Sequence, residues 1–163
     1  MKKEELAIIK QAMLNEIEGY EFYKMASANA DLSEVKETLL TLASEEKKHV
    51  EWLEELFHKI KDDKLDSLNL AELENPPSPG IFKWEKVDRS HIGVAVSSFG
   101  IGMQMEKASV EYYEQAMEKT EIKEAKELYR ILASWEKNHL EMFSKEYDVL
   151  AQDWWDDQAF QPF

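Results

Sequence analysis

The sequence predicts an all-α protein, a left-handed four-helix bundle made of two repeated helical hairpins joined by a long crossover. Three observations predict it. Four segments carry apolar residues at alternating spacings of three and four, averaging about 3.5, the period of helices that coil around one another with a left-handed twist. The second half repeats the first at an offset of ninety residues, with no insertion over Glu16–Leu53 against Glu106–Phe143. Between the halves, Pro76-Pro-Ser-Pro-Gly80 interrupts any helix.

The first helix is expected over about 3–29, with the stripe Leu6, Ile9, Met13, Glu16, Tyr20, Tyr23 and Ser27. Asp31-Leu-Ser-Glu34 has the form of a capping box for a second helix reaching about Ile60. Its stripe is Val35, Leu39, Leu42, Glu46, His49, Leu53, Leu56 and Ile60. Residues 61–90 form the crossover, with a short helical piece near Leu68–Leu73 and an aromatic anchor at Phe82 and Trp84. A connection of that length lets the helices on either side run parallel, which a hairpin forbids.

The third helix, about 91–119, has the stripe Ile92, Val96, Phe99, Met103, Glu106, Val110, Tyr113 and Met117. Gly93, Gly100 and Gly102 fall in its first half, where each costs roughly 1 kcal/mol against alanine. Close helix–helix approach is the expected reason, with a π-bulge or an access path as the alternative. The fourth helix, about 121–150, carries Ala125, Tyr129, Leu132, Glu136, His139, Phe143, Glu146 and Leu150. An aromatic tail, 151–163, follows and needs cover, from the bundle or from a second subunit. The whole of 1–163 is read as one domain, since neither two-helix half can bury its own seam.

The chain has 163 residues, 44% of them hydrophobic, enough for a sizeable core. Its net charge of −14 argues against nucleic acid, which wants a basic patch, and against an anionic membrane surface as partners. With no cysteine there is no disulfide, no Cys-ligated zinc and no in-chain iron–sulfur centre. The amino terminus lacks a signal-like apolar run, so a cytoplasmic location is expected.

Six polar residues occupy mid-seam positions: Glu16, Glu46, His49, Glu106, Glu136 and His139. Glu46 and His49 lie one turn apart on one helix face, and Glu136 and His139 repeat the pair. Glu55-Leu-Phe-His58 has the same spacing but is off the stripe, and His58 and His91 are read as surface residues. Four carboxylates in an apolar seam must either take up protons or admit cations. Two divalent ions neutralise four glutamates. Carboxylates with imidazoles and no thiolate suit iron or manganese and also accept zinc. A two-fold arrangement gives each ion one histidine, one terminal glutamate and a share of two bridging ones. Tyr23 and Tyr113, two turns beyond Glu16 and Glu106, are candidates to hydrogen-bond a ligating carboxylate. Met13 and Met103 are read as core packing.

Over about residues 3–150, Glu16…Tyr23, Glu46-Lys-Lys-His49, Glu106…Tyr113 and Glu136-Lys-Asn-His139 resemble the rubrerythrin branch of the ferritin-like superfamily. The resemblance implies a ferritin-like bundle with a non-haem di-iron centre. Glu16 and Glu106 would be terminal ligands, Glu46 and Glu136 bridging ligands, and His49 and His139 one ligand per iron. Two departures stand out. The rubredoxin-like domain with four cysteines is missing, so electrons must come from a separate donor protein of the rubredoxin type. Where rubrerythrins carry an additional glutamate, associated with peroxide reduction, this chain has Met103. The expected function is reduction of hydrogen peroxide or dioxygen. Ferrous-iron oxidation and a metal-stapled structural bundle are the alternatives, and a homodimer or larger homo-oligomer is the expected assembly.

Overall fold

A computed structural model describes residues 2–31, 33–65 and 92–157. The expectations placed on Leu68–Leu73, Phe82, Trp84, His91, Phe160 and Phe163 lie outside them. Four helices make up the described chain: α1 (Lys2–Ala28), α2 (Ser33–Lys61), α3 (Ile92–Lys119) and α4 (Lys123–Asp157). α1 packs mainly on α2, and α3 mainly on α4; the two hairpins then meet chiefly through α1 and α3. This is the four-helix bundle of paired hairpins that the stripes predict. Contacts fix the directions. Tyr23 meets Glu106 while Tyr113 meets Glu16, so α1 and α3 are antiparallel. Since α1 also opposes α2 within its hairpin, α2 and α3 run parallel, as a long crossover allows.

Local chemistry sets the ends. Asn29 donates its side-chain amide to the Met25 carbonyl at 2.8 Å, closing α1. At the end of α2, Asp63 adopts φ 56°, which brings the Lys64 N–H to the Lys59 carbonyl at 2.8 Å. That is a Schellman-type closure at a residue type that tolerates left-handed backbone. Between α3 and α4, the Thr120 hydroxyl accepts from the Ile122 N–H at 3.2 Å and donates to Glu5 Oε2 at 2.5 Å. The expected capping box would start α2 at about Asp31; the helix opens at Ser33. α4 runs on to Asp157, past the expected end near 150, so Trp154 and Trp155 belong to a helix, with ring centroids 5.0 Å apart.

Every apolar member of the α2 stripe is buried. In α1 the inward residues are Glu5, Ile9, Ala12, Glu16, Gly19, Tyr23, Ala26 and Ser27, which keeps Ile9, Glu16, Tyr23 and Ser27 of the expected stripe. Leu6, Met13 and Tyr20 flank that line and are only partly buried. α3 follows the same rule, with Ala95, Phe99 and Ala116 inside and Val96, Met103 and Met117 flanking. Small residues take the innermost positions, because that is where neighbouring backbones come closest. α3 is α-helical throughout, without a π-bulge. A Cβ on Gly102 would stand 2.7 Å from Phe143 Cζ, and one on Gly100 would stand 3.1 Å from Tyr147 Cε2. Close approach of α4 therefore explains those two glycines. Gly93 has nothing within 4 Å.

Two apolar clusters fill the bundle. One joins Ile9, Leu53, Leu56, Tyr129 and Leu132; the other joins Tyr23, Leu39, Leu42, Phe99 and Phe143. Between them lies a buried layer containing Glu16, Glu46, His49, Glu106, Glu136 and His139.

Candidate metal centre

Each helix contributes from its middle. Glu16 comes from α1, Glu46 and His49 from α2, Glu106 from α3, and Glu136 and His139 from α4. All six are at most 5% exposed. Their ligand atoms form two groups of four, Glu16–Glu46–His49–Glu136 and Glu46–Glu106–Glu136–His139, with the atoms of each group within 4.8 Å of one another. Glu46 and Glu136 belong to both groups.

The carboxylate oxygens are divided accordingly. Glu46 turns Oε2 toward His49 Nδ1 at 3.4 Å and Oε1 toward His139 Nδ1 at 3.4 Å. Glu136 turns Oε1 toward His49 Nδ1 at 2.9 Å and Oε2 toward His139 Nδ1 at 3.4 Å. Glu16 and Glu106 each face one histidine, with Oε2 at 3.1 Å from His49 Nδ1 and 3.6 Å from His139 Nδ1. Their other oxygens accept hydrogen bonds across the bundle, Glu16 Oε1 from Tyr113 and Glu106 Oε1 from Tyr23. Thus each predicted tyrosine supports the glutamate of the opposite hairpin rather than its own.

The electrostatics follow from burial. Burial, then the charges of Glu136 and Glu46, push Glu16 and Glu106 well above the usual carboxylate range. Burial also opposes ionisation of Glu46 and Glu136. The polar groups of Glu16, His139 and His49 close by outweigh it at Glu46, and the His49 charge together with the neighbouring Glu106 and both histidines outweighs it at Glu136, leaving both lowered. Burial disfavours the imidazolium of His49 and His139, but the surrounding carboxylates win and raise both well above 6.5. Burial and the adjacent glutamates raise Tyr23 and Tyr113, which remain hydroxyl donors. Without metal, protons held on the raised groups offset the charge of the buried carboxylates.

The same atoms suit metal. Glu46 Oε1, both oxygens of Glu136 and His139 Nδ1 are buried without a hydrogen bond, and they converge on one region. Buried polar atoms are rarely left in that condition unless something occupies the space between them. Oxygen and imidazole donors with no thiolate match hard or borderline divalent ions. Two such divalent ions carry the charge that neutralises the four glutamates. A sequence model of the family described as Rubrerythrin matches residues 7–147.

The chain belongs to the rubrerythrin family. A solved structure of a hypothetical protein from Pyrococcus furiosus is similar over 91% of this chain and 90% of its own, with 23% identity and a TM-score of 0.67. That likeness supports the fold. No curated protein matches the sequence. This member of the rubrerythrin family brings together all six seam residues and both tyrosines singled out from the sequence. His58 is exposed, as its place off the stripe implies. Met103 packs against the second apolar cluster.

Three participants escaped the sequence reading. Glu45 is 7% exposed, and its Oε2 lies 2.8 Å from His139 Nε2. Trp52 and Trp135 enclose His49, with ring centroids 5.2 and 5.3 Å from its own. Glu45 sits beside Glu46 but about 100° around the helix, away from the central seam. Comparing the repeats position by position gives the available signal: Glu45 aligns with Trp135, the one exchange of a charge for an aromatic ring beside a ligand pair. None of the described helices is long and apolar enough to cross a membrane.

Proposed function

We propose that this chain holds a dinuclear non-haem iron centre and uses it to reduce hydrogen peroxide or dioxygen with electrons from a separate donor protein. Glu16 and His49 would hold one iron, Glu106 and His139 the other, and Glu46 and Glu136 would bridge them. The observation that carries this reading is the division of oxygens: both oxygens of Glu46 and of Glu136 are split between the two histidines, while Glu16 and Glu106 offer one each. Iron, when bound, supplies two electrons for cleavage of an oxygen–oxygen bond; with two protons, hydrogen peroxide becomes two waters. The chain supplies ligand charge that matches the divalent pair, hydroxyls that fix the terminal carboxylates, and apolar clusters on either side that limit water. The acidic surface suits a donor with a basic face.

Met103 favours a second reading, a ferroxidase that oxidises ferrous iron and passes it on. A thioether there leaves six protein ligands, whereas the additional carboxylate associated with peroxide reduction is missing. Anaerobic stopped-flow separates the two. Reduced, iron-loaded protein is mixed with peroxide or with dioxygen while the near-ultraviolet absorption of oxidised iron is followed. Faster oxidation by peroxide, with no further uptake of ferrous iron, is the expected result. Preference for dioxygen with continued uptake would establish the ferroxidase. No iron binding, unchanged by Glu46→Ala or His139→Ala, would overturn both.

A further inference from the structure

His49 and His139 are matched in the repeat, yet their outer nitrogens have different surroundings. His139 Nε2 lies 2.8 Å from the buried carboxylate of Glu45. His49 Nε2 is buried and has no hydrogen-bond partner among the described residues. At the position equivalent to Glu45 stands Trp135, which meets the His49 ring edge-on, and Trp52 covers the ring from another side. The two candidate metal positions thus share their bridging glutamates, each have a tyrosine-supported terminal glutamate, and differ in what lies behind the histidine.

We infer that Glu45 makes the Glu106/His139 position the tighter of the two, so that the first ion loads there and the Glu16/His49 position fills second. The inference rests on the dinuclear reading and deepens it. A histidine ligates through a nitrogen that carries no proton. Glu45 accepts the Nε2–H of His139, which leaves the Nδ1 lone pair aimed at the shared carboxylates and makes the ring a stronger donor. It also adds a negative charge within reach of that ion. His49 has neither support. Its ring is flanked by Trp52 and Trp135 and its Nε2 meets no acceptor among the described residues, so none of them selects the tautomer with a free Nδ1. Glu45 is a positioning residue, acting through His139.

The test is titration of metal-stripped protein with manganese(II), followed by electron paramagnetic resonance and calorimetry. Wild type should show a mononuclear signal up to one equivalent and a spin-coupled pair up to two, with dissociation constants differing at least about tenfold. Crystals given one equivalent should show anomalous scattering at Glu106/His139. Glu45→Ala should weaken the first step about 10–100-fold and merge the two steps. Glu45→Gln, which keeps an acceptor without the charge, should recover part of the difference. In protein loaded with one equivalent of diamagnetic zinc(II), nitrogen-15 chemical shifts should show His139 protonated at Nε2 in wild type and loss of that single form in Glu45→Ala. Glu54→Gln, an exposed change on α2, should alter neither step. Circular dichroism identifies any variant that fails to fold. Equal affinities in wild type, first loading at Glu16/His49, or an unchanged first step in Glu45→Ala would overturn the ranking while leaving the dinuclear centre standing. Failure of wild type to bind metal would overturn both.

Discussion

A hydroxyl bonded to one oxygen of a carboxylate decides how many oxygens remain for an ion. Tyr113 and Tyr23 occupy one oxygen each of Glu16 and Glu106, so these glutamates differ from Glu46 and Glu136 before any metal arrives. Tyr113→Phe should therefore weaken metal binding about 10–100-fold, read by titration of the stripped protein. It should also destabilise the metal-free fold by about 1–3 kcal/mol, read from urea unfolding, because Glu16 Oε1 loses its donor in a buried setting. The six ionisable groups further predict a pH dependence. Glu16, Glu106, His49 and His139 have folded-state pKa values raised above their ordinary 4.5 and 6.5. Where the native state binds more protons than the unfolded chain, stability falls as pH rises. The two histidines' contribution is fully present below 6.5 and is lost as pH climbs through their raised values. Glu46 and Glu136 act in the opposite sense, losing their contribution as pH falls through their lowered values. The melting temperature of metal-free protein should accordingly decline as pH rises above 6.5 and through the raised histidine values, while the metal-loaded protein, already stripped of those protons, should change little. Loading at neutral pH should release protons, measurable with a pH indicator in weak buffer.

Helices were easier to read than the exact faces they bury. The α2 and α4 stripes are rich in Leu, Phe and Tyr, and nearly every residue on them lies inside. In α1 and α3 the period was legible and the phase was right at Ile9, Glu16, Tyr23, Phe99, Glu106 and Tyr113. It was right also at Ser27 and Val110, but other alternate positions shifted by one, because a hydrophobic pattern gives weight to Met13 and Met103, whereas close packing selects Ala12 and Gly102. Size complementarity is a property of two helices at once, and a single stripe does not contain it. Glu5 was missed for a similar reason. Its carboxylate accepts from Thr120 and from Tyr129 at 2.6 Å, partners more than a hundred residues away that fasten the start of α1 to the α3–α4 turn. The central six residues were legible because duplication printed them twice; Glu45 was not, because it occurs in one half alone. Two substitutions test the packing argument. Gly102→Ala should destabilise by about 1–3 kcal/mol, since its methyl would overlap the fully buried Phe143 ring. Gly93→Ala, with open space around it, should stabilise α3 by about 0.5 kcal/mol. Chemical denaturation of the two variants reads both.

At the scale of the molecule, a polar layer divides the core into two apolar clusters. Ions bound there would join all four helices and should raise stability by about 2.7 kcal/mol for each site at a free-metal concentration a hundredfold above its dissociation constant. Calorimetric melting with and without a chelator checks this. The layer also ties the halves together in a particular way. Tyr23 with Glu106, Tyr113 with Glu16, and Glu45 with His139 all reach from one hairpin to the other. Each group of four candidate ligands draws three residues from one hairpin and one from its partner. A ribosome that has released only the first hairpin has therefore exposed three ligands and no complete set. The growing polypeptide cannot close either cage around a stray cation until Glu136 has been translated and docked, and the second cage also needs Glu106 and His139. Occupancy by two ions is, on this reasoning, a certificate of finished assembly, and a truncated product would lack it.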